Sequence, residues 1–447
     1  MLWALYQVLF AIGFMLMLPH FLLRMRRRGG YGPGFGERFG RYAPDVAARL
    51  AAGPRIWVHA VSVGEVHVAM AFIREWRAHR PEARFVVSVN TPTGRKVAAA
   101  QLAEPDVLVY FPVDVPPIVG RVLGAIRPVA LVLCEGELWP NLIRGCARRG
   151  IPVASINARV SDRSFRGYRR VRPFTRRLLP LFTRFCAQGA EDGRRLVDLG
   201  APEERVRVVG SAKYEAAVPD PSTAERARSF LRGAGFPDDA VVLAGGSTWA
   251  GEEAALLDIC RDLRADFPAL RLVLVPRHAE RGPEVVAELE RRGVPYVRRS
   301  GGPAPAVPPE VALIDTTGEL MGFYGAADLV FVGKSLTQHG GQNPIEPALW
   351  SRPILVGPNM ENFRPVVADF LETSAIRQVP DAAALAAALR ELLADPARRA
   401  DLGARAGAVV RAKAGAMKRT VDELMQSLPM ATANTQHPTP NTQRGPD

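Results

Sequence analysis

Ile56-Trp57-Val58-His59-Ala60-Val61-Ser62-Val63-Gly64-Glu65-Val66 is the stretch that decides the fold. β-Branched and aromatic residues fill Ile56–Val61, which predicts a buried strand. Gly64 marks the turn, and Val66–His79 carries on as an amphipathic helix. Strand, turn and helix leave Glu65 at the carboxyl end of the strand, the edge where open α/β sheets bind their ligands. Two readings of Glu65 stay open: a general base, or a carboxylate that only complements the positive end of its helix.

The same rhythm repeats on both sides. Strands are expected at Arg84–Val89, Val107–Tyr110, Val129–Leu133, Pro152–Ile156, Phe182–Ala187 and Val206–Val209, with crossover helices such as Leu138–Arg149 between them. Ala217-Val218-Pro219-Asp220-Pro221-Ser222 breaks the pattern and reads as a linker. A second series follows at Val241–Ala244, Leu270–Val275, Val311–Ile314, Leu329–Val332 and Pro353–Val356. Alternation of this kind predicts parallel sheets covered by helices. The expected class is therefore α/β, with two Rossmann-like domains facing across a cleft. Both the GT-B glycosyltransferase architecture and a periplasmic-binding-protein-like one satisfy that pattern. The expected boundaries are 1–28 for an N-terminal anchor helix with its basic flank, 29–216 and 223–428 for the two domains, and 429–447 for a disordered polar tail.

At 447 residues the chain exceeds a single core, which agrees with two domains. A formal charge of +13 calls for an anionic partner. Aromatic-interleaved basic strands of the RNA-binding kind are missing, so nucleic acid is disfavoured. The four cysteines have no Cys-x-x-Cys spacing and no neighbouring histidines, which predicts reduced thiols and no structural zinc. Leu2 to Leu23 is almost wholly apolar and about as long as a bilayer core requires. Arg24, Arg26, Arg27 and Arg28 follow it, the reverse of a cleaved signal peptide. The positive-inside rule then keeps the rest of the chain in the cytoplasm, whether the segment spans the membrane or lies in its interface.

Four strand ends in the second half carry ligand-binding residue types. Gly245-Gly246-Ser247-Thr248 reads as a glycine-rich loop before a helix start at Gly251-Glu252-Glu253, suited to phosphate or carboxylate. Pro276-Arg277-His278 places a permanent cation at the same edge. Thr317-Gly318-Glu319 closes a third strand, and Gly340-Gly341-Gln342-Asn343-Pro344-Ile345-Glu346 puts a carboxylate on the first turn of a helix. Each loop alone could be only a turn; four at successive strand ends point to one site. Arg163, Arg166, Arg169, Arg170, Arg172, Arg176 and Arg177 form either a solvated helix face or a surface for anionic lipid. Gly333-Lys334-Ser335 lacks the upstream glycine of a P-loop, having Asp328 there. Neither a dinucleotide Gly-x-Gly-x-x-Gly after a strand nor a Gly-x-Ser-x-Gly elbow is present, and no Asp-x-Asp pair offers to hold a metal-bound donor.

Taken together, several motifs in order resemble those of the 3-deoxy-D-manno-octulosonic acid (Kdo) transferases of lipopolysaccharide assembly. They are His59 to Glu65, Thr91-Pro92-Thr93-Gly94, Glu137-Leu138-Trp139-Pro140-Asn141, Asn157-Ala158-Arg159-Val160-Ser161, Gly210-Ser211-Ala212-Lys213, Pro276-Arg277-His278 and Asn343 to Glu346. The resemblance runs from the anchor to about residue 420. It implies a GT-B enzyme with an acceptor-binding first domain and a donor-binding second one. That enzyme moves Kdo from CMP-Kdo to a lipid A precursor of the lipid IVA type, with inversion, without a metal and without a cofactor, at the cytoplasmic face of the inner membrane. It implies Glu65 as the base, and Pro276, Arg277, Thr317, Gly318, Glu319, Asn343, Pro344, Ile345 and Glu346 around CMP. Ser211, Lys213, Ser247 and Thr248 are implied as supporting donor contacts, and Ser62, Gly64 and Arg159 stand on the acceptor side. Three positions depart from the family pattern: Trp249 and Gln342, where His is usual, and Lys334, where a second Gly is usual. Two rivals remain, a GT-B transferase using a UDP- or GDP-sugar and an anchored nucleotide- or sugar-binding protein without turnover.

Overall fold

The computed structural model describes residues 34–428 except 216–218 and 303–306, together with Trp3, Tyr6, Gln7, Phe10, Gly13, Met15 and Leu16. The anchor expected at Leu2 to Leu23 and the tail from 429 lie mostly or wholly outside those residues, as does part of the linker. Among the described residues no helix is long and apolar enough to cross a membrane.

The chain divides into two compact units, Met1–Glu215 with Gly415–Asp447, and Ala216–Ala414. The first holds β1 (Arg55–Ala60), β2 (Phe85–Val89), β3 (Val107–Tyr110), β4 (Pro128–Cys134), β5 (Val153–Ala158), β6 (Arg184–Ala187) and β7 (Val206–Val208). The second holds β8 (Val241–Thr248), β9 (Leu270–Pro276), β10 (Tyr296–Arg298), β11 (Val311–Leu313), β12 (Leu329–Val332), β13 (Ile354–Val356) and β14 (Arg377–Gln378). Their orders are β3-β2-β1-β4-β5-β6-β7 and β10-β11-β9-β8-β12-β13-β14. Every pairing is parallel. The strand order reverses between β1 and β4 in the first sheet and between β8 and β12 in the second. Such reversal points open a crevice at the carboxyl edge, where ligands of doubly wound sheets sit.

All six residues of β1 are buried, as a central parallel strand covered on both faces requires. Ser62 caps the helix Val63–His79, which buries Val66, Ala69, Phe72, Ile73 and Trp76 against that strand's face. The helix Ala416–Ser427 belongs to the same core: Met417, Val421 and Leu424 pack in one cluster with Val58 and Val66. Its first turn is tied down where Met417 N–H donates to Glu215 Oε1 (3.1 Å) and Arg419 Nε donates to the Val209 carbonyl (2.8 Å). The second unit thus ends at Ala414 and not at 428, because the last amphipathic helix buries its apolar face in the first unit.

Two short edge strands, β10 and β14, have no apolar run to announce them. The larger correction concerns Gly245 and Gly246. They do not form a loop but continue β8 as far as Thr248. A Cβ on Gly246 would lie 2.2 Å from the Tyr324 hydroxyl, and one on Gly245 2.7 Å from Leu256 Cδ1. These glycines let neighbouring side chains lie against the strand.

Candidate functional site

In the first unit the β1–β4 crevice is lined by carboxylates. Glu65 follows β1 and is 6% exposed. It is the third helical residue of a capping box: its N–H donates to Ser62 Oγ (3.2 Å), while its carboxylate accepts from Val61 N–H (2.9 Å) and Ser62 N–H (3.3 Å). Both readings offered for Glu65 are therefore compatible, since the group that caps the helix also stands at the sheet's ligand edge. Gly64 lies in the same turn, where a Cβ would meet nothing closer than Ser62 Oγ at 3.8 Å.

Glu135 leaves the end of β4 with φ of +59°, and Asn157, at the end of β5, has φ of +51°. Left-handed backbone at non-glycine residues costs roughly 1–3 kcal/mol and concentrates at functional sites. The two are linked, Asn157 Nδ2 donating to Glu135 Oε1 (3.4 Å), and Asn157 Oδ1 accepts from Ala212 N–H (3.0 Å). Burial and the Glu65 charge push the Glu135 carboxyl up, against the pull of Lys213 and Arg159. Burial, Glu65 and Glu135 push Glu137 up to about 7. Lys213 is pushed down by burial and by Arg159, with Glu135 opposing. Glu135, Glu137 and Arg159 share the wall of one cavity with Tyr168 and Leu179. The structure thus gathers Ser62, Gly64, Glu65, Arg159, Ser211 and Lys213 in the first unit, and adds Glu135, which the sequence reading passed over. Its signal was present: an acidic residue just past a buried strand, followed by a glycine. Gly136 is obligatory there, because a Cβ would lie 2.7 Å from the Arg159 carbonyl oxygen.

His59 is a core residue. Its Nδ1 lies 3.0 Å from the Ser88 carbonyl and hydroxyl oxygens, its ring stacks on Phe111 at 3.6 Å, and burial pushes it down to about 3. Burial thus holds it neutral at ordinary pH.

In the second unit the remaining expected residues line the carboxyl edge. Ser247 and Thr248 end β8 and are buried, with the Thr248 hydroxyl unpartnered. Pro276 ends β9, and Arg277 follows it exposed, its N–H donating to the Thr248 carbonyl (3.0 Å). Thr317 and Gly318 present exposed backbone after β11, whereas Glu319 is engaged by Arg299 (2.8 Å). Asn343 Oδ1 accepts from Ile345 N–H (3.1 Å), and Asn343 Nδ2 donates to Glu346 Oε1 (3.2 Å), so the turn through Pro344 is locked. Burial pushes the Glu346 carboxyl up, while Asn343 and the charge of Arg277 draw it back.

A buried carboxylate organises the β8–β12 crevice. Glu252 is fully buried and accepts from the N–H groups of Trp249, Lys334, Ser335 and Leu336 at 2.7–2.9 Å. The loop that resembles a P-loop end therefore cradles an anion supplied by the protein itself. Among the described residues no three His, Cys, Asp or Glu side chains are grouped to hold a metal ion.

A family model described as 3-Deoxy-D-manno-octulosonic-acid transferase (kdotransferase) matches residues 33–216. A 3-deoxy-D-manno-octulosonic acid transferase of Haemophilus influenzae is 33% identical over 87% of this chain and 90% of its own length. One from Bordetella pertussis is 34% identical over 90% of this chain and 94% of its own length. The UDP-GlcNAc 2-epimerase of Neisseria meningitidis, bound to UDP-GlcNAc, shares the fold with a TM-score of 0.55 at 14% identity, covering 83% of this chain and all of that one. Both sheets, the carboxylate crevice and identity along nearly the whole length agree: this chain belongs to the 3-deoxy-D-manno-octulosonic acid transferases and is a glycosyltransferase.

Proposed function

We propose that the chain transfers Kdo from CMP-Kdo to a bisphosphorylated lipid A precursor of the lipid IVA type in lipopolysaccharide assembly, inverting the anomeric centre without a metal. Glu65 is the general base. The observation that carries this reading is the position of Glu65 at the reversal point of the first sheet, its carboxylate fixed by two backbone N–H groups beside Glu135. A sugar hydroxyl is a poor nucleophile until a carboxylate takes its proton, and a base so placed contributes about 10²–10⁴-fold. Attack from the face opposite the departing cytidylate gives inversion. Arg277 and the turns at Thr317–Glu319 and Asn343–Glu346 receive the leaving phosphate and ribose, a role that fixed cations and N–H groups fill in place of a divalent ion. The lack of an Asp-x-Asp pair fits that assignment.

We also place the enzyme at the cytoplasmic face of the inner membrane. Trp3 and Tyr6 of the apolar leader pack on Phe174, at ring distances of 5.1 and 5.0 Å. That sets Trp3 and Tyr6 against the arginine-bearing helix Arg172–Leu178, with the Arg144 guanidinium 4.7 Å from the centre of the Trp3 ring. Met15 and Leu16, farther along it, are 73% and 76% exposed, as an apolar segment meant for lipid would be.

The test is transfer from CMP-Kdo to lipid IVA by the purified full chain, followed by mass spectrometry of the lipid. Wild type should add Kdo. Glu65→Gln should lose about 10²–10⁴-fold in rate while still binding CMP-Kdo. A Glu65→Gln chain that transfers at the wild-type rate removes Glu65 from the chemistry, and product formed only from UDP- or GDP-sugars removes the donor.

A further inference from the structure

We propose that Lys334 binds the carboxylate of the donor sugar and that Trp249 orients it; this rests on the CMP-Kdo reading and extends it from the nucleotide to the sugar acid. Trp249 follows β8 and Lys334 follows β12, so the pair occupies the reversal point of the second sheet, where a ligand is expected. The Lys334 ammonium lies 4.5 Å from the centre of the Trp249 ring. Trp249 also meets the ring of His278, the residue after Arg277, in a T-shaped contact at 5.5 Å. Among the described residues neither Lys334 nor Arg277 has a carboxylate within ion-pair distance; Glu346 acts on Arg277 only from farther off, and Glu252 is spent on backbone N–H groups.

The backbone supplies a second argument. Lys334 has φ of +57°, a conformation glycine adopts freely and lysine only at a cost. Glu252 holds it there by accepting from both the Trp249 and the Lys334 N–H. A lysine kept where glycine would be easier points to its side chain as the reason.

The donor's chemistry matches this arrangement. A nucleotide-activated 2-keto sugar acid carries its phosphate ester and its carboxylate on the same anomeric carbon. Two anions on one carbon call for two cations at one sheet edge, whereas a nucleoside-monophosphate ester of a neutral sugar would call for one. The planar fork of Arg277 suits the phosphate, and the compact ammonium of Lys334 suits the carboxylate.

The experiment compares equilibrium binding of CMP and of CMP-Kdo to the full chain, without acceptor, in wild type, Lys334→Met, Lys334→Gly and Lys334→Arg. Met and Gly should leave CMP affinity unchanged and weaken CMP-Kdo about tenfold, the scale of one charge-assisted hydrogen bond. Arg should restore most of the loss, and KM for CMP-Kdo should rise with kcat little altered. Equal weakening of both ligands would assign Lys334 to the nucleotide or to loop structure, and no weakening of either would leave it without a role; each result overturns the proposal. A wild-type chain that binds neither ligand overturns the donor reading beneath it.

Discussion

Glu65 joins two tasks that are usually separate, closing a capping box and standing at a ligand-binding edge, and the tasks part under substitution. Glu65→Gln keeps one acceptor oxygen, enough for the shorter bond from Val61 N–H, and gives up only the longer one from Ser62 N–H (3.3 Å). Its unfolding midpoint should therefore stay near wild type, with less than about 1 kcal/mol lost, although transfer collapses. Glu137 gives an independent handle. Burial together with Glu65 and Glu135 raises its carboxyl from 4.5 to about 7. Between those values the folded chain keeps a proton that the unfolded chain has released, so stability falls as pH rises and is level on either side of the window. Glu137→Gln should flatten that slope in urea denaturation followed at pH 5, 6 and 7; an unchanged slope would show that Glu137 titrates normally. Glu65, Arg277 and Glu346 were legible in the sequence because each sits just past an apolar strand or at a glycine-marked helix start. Glu252 was visible only as a helix-starting acid. Its partners at Lys334, Ser335 and Leu336 lie more than 80 positions away in the chain, and no local pattern encodes such a contact.

Among the elements, β8 shows where pattern reading stops. The apolar run Val241–Ala244 marks the strand, but its last four residues are Gly, Gly, Ser and Thr, which carry the composition of a loop. What extends the strand is tertiary: Tyr324 lies across Gly246, and Leu256 crowds Gly245. Gly246→Ala should accordingly cost about 1–3 kcal/mol through overpacking, read as a lower denaturation midpoint of the second unit. Shortening the obstacle in Gly246→Ala/Tyr324→Phe should recover part of it. A Gly246→Ala chain as stable as wild type would mean that Tyr324 simply swings away. The long buried strands β1, β2, β4 and β9 were found close to their true limits because parallel sheets demand continuous apolar runs. β10 and β14, at the sheet edges, carry no such demand and gave no signal.

At the scale of the molecule the net charge of +13 acquires a location. Arg163, Arg166, Arg169, Arg170, Arg176 and Arg177 are exposed, and among the described residues none pairs with a carboxylate. The helix Asp162–Arg170 buries no residue at all. Replacing Arg169 and Arg170 by Gln should weaken association with vesicles containing anionic lipid by about 1 kcal/mol per residue and leave binding to zwitterionic vesicles unchanged. Cosedimentation measures both, and equal binding to anionic vesicles would make the arginines a solvated face. The return of the helix Ala416–Ser427 to the first core has a different kind of consequence, one that concerns synthesis on the ribosome. The strands of the first unit emerge before the inserted unit, yet the helix that joins their Val58 and Val66 cluster is translated only after it. Until then that cluster lacks Met417, Val421 and Leu424, so the first unit's core is completed only after the whole inserted unit has been made.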